Sequence, residues 1–467
     1  MSKNILFFLG SFFLIIGVLS FFNIIYSYYF NLYLNVDSYL PTLIISSVIF
    51  LILFFIKKKE NKFSVFEKIL TVICGYIIFP ILISLPYYFS IYNVSLIDSY
   101  FEAVSGFTST GFTVFENIRH LDESIIIWRS TSQWIGGLYF LFSIIILIDI
   151  FDTNLKKSLT NFISFNSAEL IKQSIKVLFL YVFLTILIFF VLSLINFRLF
   201  DAFNFSLTII SSGGFKPLNE INLILNNNYK IIVFALTLLI PFFSIFLSYN
   251  IFYLKNRNLN FFTEDYYLLY YLIVVTVIFF VFFSENNFIE LFLSITSSVS
   301  NIGIYLSNHN NKYYLIYLIL VIIGGSFFST SSGIRFFKIF TLIRFSFNEM
   351  LSHTNPKQVI LNKVIFDNSQ INYEVIYKYF LSILIFLISL ICISSLLSFG
   401  GLNFVESIKI GILTIMNTVN SSLYGLEDFN FNNINIFSKF VFIIFMIIGR
   451  VEFITIILIF KKYLFKS

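Results

Sequence analysis

Near-continuous apolar runs of 18 or more residues recur along this chain and constrain its fold more than any other feature. Each is long enough to cross roughly 30 Å of hydrocarbon as a helix. With 58% hydrophobic and only 12% charged residues, the composition excludes a water-soluble globule, which is ordinarily about 25% charged, and excludes disorder as well. The expected fold class is therefore an all-α integral membrane protein. Cys74 and Cys392 lie in apolar runs without CxxC spacing, which argues against a disulfide framework or a structural zinc site. His120, His309 and His353 fall in predicted loops without a repeated partner, so solvated histidines are expected and no transition-metal site.

The apolar runs predict ten transmembrane helices, at about 5–30, 39–56, 67–92, 124–151, 174–198, 229–254, 267–284, 314–345, 372–398 and 438–464. The first exceeds a signal-peptide core and has no small-residue cleavage pattern after it, so it is expected to be retained. An even count puts both termini on one side. With Met1 cytoplasmic, the inside segments hold 21 of the 30 Lys and Arg, and this bias orients the chain with both termini in the cytoplasm. The net charge of +6 thus reads as topology. The charges form no basic stripe, which argues against nucleic acid. Lys57, Lys58 and Lys59 mark a cytoplasmic boundary that can also touch anionic membrane lipids.

Four of the outside connections share a pattern. Asp98 lies thirteen residues before Gly111, Asp201 thirteen before Gly214, Glu290 thirteen before Gly303, and Glu406 fourteen before Asn420. An acid, a short apolar stretch and then a glycine turn form a helix signature, because carboxylates favour the positive N-terminus and glycine permits a left-handed exit. Any one such acid reads more simply as a helix cap than as an ion ligand. Four at nearly fixed spacing predict four pseudo-repeated helix–pore-loop–helix units: 61–155, 156–258, 259–348 and 349–467, after an N-terminal helix pair at 1–60. Non-helical backbone at membrane depth must line water or be buried in protein. A common central pore answers that need, and loop carbonyls can there replace the water around a cation.

The first loop reads Phe101-Glu102-Ala103-Val104-Ser105-Gly106-Phe107-Thr108-Ser109-Thr110-Gly111-Phe112-Thr113, followed by Trp128-Arg129-Ser130 and Gln133-Trp134-Ile135-Gly136-Gly137. These motifs resemble those of the Trk/Ktr/HKT superfamily of potassium transporters. The likeness extends through Ser211 to Phe215, through Gly324-Gly325-Ser326 to Ser329-Thr330-Ser331-Ser332-Gly333-Ile334-Arg335, and to Gly449-Arg450-Val451-Glu452. It spans essentially the whole chain and is greatest toward the bacterial Trk-type membrane subunit.

The resemblance implies one narrow carbonyl selectivity filter with one glycine per unit. Carried over by position, the filter comprises Ser109, Thr110 and Gly111; Ser212, Gly213 and Gly214; Asn301, Ile302 and Gly303; and Thr418, Val419 and Asn420. Asn420 then stands where the family has glycine, asparagine being the other residue that tolerates the left-handed conformation. In the third loop Gly303-Ile304 replaces the family's glycine and phenylalanine. With these departures, permeation by monovalent cations is the expectation, and the preference for potassium over sodium stays open, a weakly selective sodium/potassium pathway being an alternative.

Residues Gly324 to Gly333, including Gly325, interrupt an apolar run with a composition poor at continuing a helix. A small-residue packing seam is the plainer reading; the resemblance implies an intramembrane gating loop, which Arg335 could anchor. Arg450 lies inside the last apolar run, where a charge is costly and needs a partner, water or the pore. It is expected to set the intracellular constriction, to hold the gating loop, or to make a structural ion pair. Arg129 is expected to act structurally in the first unit.

There is no GxxxxGK[ST], no HExxH and no nucleophile–base constellation, so neither an enzyme nor a cofactor is expected, and potassium is the transported substrate. A sodium- or proton-coupled symporter is the alternative. As partners the resemblance implies a second copy of the chain, forming a homodimer, and separate cytosolic regulators with Rossmann-like RCK nucleotide-binding domains.

Overall fold

A computed structural model describes residues 3–55, 64–151, 167–218, 221–246, 263–282, 287–306, 313–354, 373–426 and 429–451. Among them the chain is helical almost throughout. An antiparallel pair, α1 (Lys3–Tyr29) and α2 (Val36–Phe54), leads into α3 (Val65–Tyr88). Ser64 and Glu67 close the start of α3 as a reciprocal cap. Then come α4 (Leu96–Phe107), α5 (Glu123–Phe151), α6 (Ser167–Leu194), α7 (Leu199–Ile210) and α8 (Asn228–Leu238). The second half comprises α9 (Thr263–Phe282), α10 (Phe288–Val299), α11 (Tyr314–Ile322), α12 (Phe336–Thr354), α13 (Tyr373–Phe399), α14 (Phe404–Ile415) and α15 (Ile436–Val451).

Among the described residues seven helices are long and apolar enough to cross a membrane: α1, α2, α3, α5, α6, α9 and α13, with α2 extended by the preceding turn at Tyr33. Their burial sorts them. The apolar window of α5 is 94% buried within the protein, whereas those of α1, α2, α6, α9 and α13 are only 28–39% buried. Large side chains such as Phe179, Phe190, Phe280 and Ile391 on α6, α9 and α13 stand exposed, as expected of faces solvated by lipid. The buried helix is held from the N-terminal pair by Phe12, which packs edge-on against Tyr139 and Phe142 of α5.

Among its described residues, 229–246, the run expected at 229–254 is not one continuous helix. Helix α8 stops at Leu238 and the chain turns through 239–244. Pro241 lies in this turn; proline lacks the amide that would continue the helical ladder, and it disfavours helical geometry in the residue before it. The run at 314–345 is broken between α11 and α12 instead. Ile323 and Gly324 pair in parallel with Ile334 and Arg335, which closes the intervening residues into a loop. The two irregular segments face each other: Ser326 N–H donates to the Phe242 carbonyl at 3.0 Å, Ser331 N–H to Pro241 at 3.2 Å, and Ile245 N–H to Phe328 at 3.1 Å. Each break thereby supplies the hydrogen bonds that the other's backbone lost.

Four helices are alike. α4, α7, α10 and α14 are each twelve residues long, about 18 Å, too short to cross a bilayer. The acids Asp98, Asp201, Glu290 and Glu406 all sit in their first turns, where the helix dipole favours them.

A candidate ion filter and the loop beneath it

All four short helices end in one way. Ser109, Ser212, Asn301 and Asn417 take left-handed backbone, with φ of 57°, 53°, 61° and 46°. Each donates its N–H to the residue three before it, and the next residue donates to the residue five before: Thr110 to Ser105, Gly213 to Thr208, Ile302 to Ser297 and Thr418 to Leu413, at 2.8–3.0 Å. This paired closure is the Schellman motif. It gives the four loops a common register that does not depend on residue type.

Two positions beyond each left-handed residue stand Gly111, Gly214, Gly303 and Val419. In the fourth loop this closure sets a register one residue away from the expected one. Val419, not Asn420, aligns with the three glycines, and the fourth set becomes Asn417, Thr418 and Val419 in place of Thr418, Val419 and Asn420. Asn420 does not take a left-handed backbone; its side chain reaches sideways to the Phe429 carbonyl at 3.4 Å. The acid-to-glycine spacing of thirteen in the other units leads from Glu406 to Val419 as well.

The four loops meet. A Cβ placed on Gly111 would come within 3.1 Å of Val419 Cβ and Cγ2 and 3.2 Å of Gly214 Cα. One on Gly214 would lie 2.7 Å from the Ile302 carbonyl oxygen, and one on Gly303 would lie 2.5 Å from Val419 Cγ1. A side chain at Gly214 or Gly303 would collide with a neighbouring loop, and one at Gly111 would fit tightly on a left-handed backbone (φ 82°), which is the physical reason for glycine there.

The surrounding scaffold is built from polar side chains that clamp one loop to the next. Asn417 donates to Thr110 Oγ1 at 3.0 Å and to the Met446 carbonyl at 2.9 Å; Asn301 donates to Thr418 Oγ1 at 3.1 Å and to Val321 at 2.9 Å. Glu102 accepts from Arg129 Nε at 2.8 Å, Val114 N–H at 2.9 Å and Thr113 Oγ1 at 3.1 Å. The Arg129 guanidinium lies 4.2 Å from the centre of the Phe215 ring, so the brace of the first loop also presses on the second. Gln133 accepts from Phe215 N–H at 3.3 Å. Gly136 of α5 and Gly449 of α15 abut the carbonyls of Phe107 and Ile415, the last residues of α4 and α14. Those motif glycines let a spanning helix lie directly against the end of a short one.

Beneath this level lies the loop between Gly324 and Gly333. Gly333 has φ of 84°, and a Cβ there would come within 2.8 Å of Gly324. Arg335 Nη1 donates to the carbonyls of Ser326 at 3.1 Å and Ser331 at 3.0 Å, with Ser329 Oγ at 3.1 Å. From α15, Arg450 reaches the Thr330 carbonyl at 3.1 Å and also the Ser332 hydroxyl. Both guanidinium groups lie over the Phe140 ring, at 5.0 and 3.9 Å. Glu264, at the start of α9, accepts from Ser326 Oγ and Phe327 N–H, both at 3.0 Å. Sequence reasoning missed Glu264, which it assigned to a cytoplasmic connection; the contact lies more than sixty residues away in sequence and leaves no local pattern. Glu452 and the lysine run at 57–59 lie outside the described residues.

The sequence model of the TrkH family, described as cation transport protein, matches residues 286–466. An uncharacterised cation transporter of Methanocaldococcus jannaschii is 24% identical over all of this chain and 96% of its own. The Trk system potassium uptake protein TrkH of Escherichia coli is 26% identical over 34% of this chain and 35% of its own. The crystal structure of the potassium transporter TrkH from Vibrio parahaemolyticus superposes with a TM-score of 0.83 at 18% identity, covering 98% of each chain. The protein is a multi-pass membrane protein with the fold of a Trk-type membrane subunit, and its residues 286–466 match the TrkH family.

Proposed function

We propose that the chain conducts dehydrated monovalent cations, potassium foremost, across the cytoplasmic (inner) membrane through one filter formed by the four loops. The reading rests above all on the common closure of α4, α7, α10 and α14, which brings Gly111, Gly214, Gly303 and Val419 together. The four helices carry the negative ends of their dipoles to that place, about half an elementary charge each. Loop carbonyls outside the helical ladder substitute for the cation's hydration shell. In this reading the chain has ten spans with both termini cytoplasmic: a helix pair at 1–60, then units at 61–155, 156–258, 259–348 and 349–467.

The loop 324–333 acts as the gate below the filter, held shut by Arg335, Arg450 and Glu264. The names of the relatives, potassium uptake and cation transport, support the same activity. A homodimer, controlled by separate cytosolic RCK-type nucleotide-binding subunits, completes the proposed system. Gly111→Asp tests the filter assignment: uptake in potassium-uptake-deficient cells should vanish while the protein still inserts in the membrane. Undiminished uptake would overturn it.

A further inference from the structure

We propose that the Val419 side chain is the size-selecting element of the filter, an apolar constriction that one unit inserts at the level where the other three present bare backbone. The inference rests on the filter reading above and deepens it. Its basis is steric and local. The Schellman closure aligns Val419 with three glycines, and its isopropyl group borders all three and narrows the space between them: Cβ and Cγ2 lie toward Gly111, Cβ and Cγ1 toward Gly214, and Cγ1 toward Gly303. Val419 is 7% exposed, so the group is enclosed by the loops and not splayed into the surroundings.

Valine is stiff about χ1. Its backbone is tied through Thr418, which donates to Leu413 at 2.9 Å and whose hydroxyl accepts from Asn301. The side chain therefore has few ways to withdraw. The side chain carries no lone pair and adds no ligand of its own, so its contribution is steric. The width left beside the isopropyl group then decides which ions pass. Larger alkali cations suffer most from such a constriction.

The test compares wild type, Val419→Ala and Val419→Gly as purified full-length chain in proteoliposomes, with K+, Rb+ and Cs+ as the permeating ions. Wild type should discriminate steeply against Cs+. Val419→Gly should raise Cs+ permeability relative to K+ by about tenfold, the factor that ~1.4 kcal/mol of barrier represents, with Val419→Ala between the two. An unchanged Cs+ to K+ ratio in Val419→Gly, in protein that still transports K+, would overturn the inference. Should Val419→Gly fail to assemble, Val419→Ala alone decides by the same ratio. Loss of the filter reading would show differently, as K+ flux that survives Gly111→Asp.

Discussion

The hydroxyl of Thr330 donates to the carbonyl of Ile210 at 2.7 Å, so the tip of the loop beneath the filter is hydrogen-bonded directly to the last residue of the second short helix. In the proposed gating role, a loop attached in this way is coupled to the filter it closes. Thr330→Val removes one hydrogen bond and keeps the side-chain volume, at a cost of about 0.5–1.5 kcal/mol. Basal cation flux should rise by up to about tenfold on that scale, and shortening the loop within 326–331 should raise it further. Flux measured in proteoliposomes without regulator checks this; unaltered flux in both variants would remove the loop from the gating account.

Glu264 holds the same loop from the other side with two hydrogen bonds. Such hydrogen bonds contribute about 0.5–1.5 kcal/mol each, and glutamine, with one oxygen in place of two, cannot accept both in the same geometry. Glu264→Gln should therefore speed amide hydrogen exchange in peptides covering 325–332 severalfold while leaving α5 protected. Equal exchange in the two proteins would show that Glu264 does not restrain the loop.

The Glu102–Arg129 pair is buried completely on one side and almost completely on the other. Removing one partner of such a pair strands a buried charge, at about 3–5 kcal/mol. Glu102→Gln should accordingly lower the thermal stability of the detergent-solubilised protein strongly. The double variant Glu102→Gln/Arg129→Met should recover part of the loss. A single variant as stable as wild type would mean that the pair does not brace the first two loops.

Lys216 follows Gly214 by two residues and lies 4.9 Å over the ring of Tyr305, which follows Gly303 by two. Burial pushes its pKa below the ordinary lysine value. While protonated, the ammonium stands beside the proposed pathway and repels cations; once deprotonated it does not. Inward flux should therefore increase as external pH is raised from 7 to 9. Lys216→Met should be flat at the higher level. A pH profile identical in the two proteins would contradict the repulsion.

Much of this architecture is legible in the residues. The long apolar runs predict helices, and the four acids predict the starts of α4, α7, α10 and α14, because both signals are local. The interruption at 324–333 is legible for the same reason: a run of Gly, Ser and Thr has little helical preference. Two things escape. Hydropathy reads 229–254 as one span, since apolar residues pack an irregular segment as readily as a helix, and only Pro241 hints at the break. The fourth loop is misaligned by one residue when a left-handed-tolerant Asn420 is preferred over the spacing from Glu406. The left-handed residue is Asn417, three positions earlier, where the helix ends. Glu264 illustrates the general limit, for its partners are set by tertiary packing and not by neighbours in sequence.

The most direct test of a shared pathway is a structure determined with thallium, a heavy mimic of potassium, and its anomalous density. The account predicts density on the axis enclosed by Gly111, Gly214, Gly303 and Val419, reduced or displaced by excess potassium. Bound thallium found only outside that enclosure, with the four loops unoccupied, would contradict it.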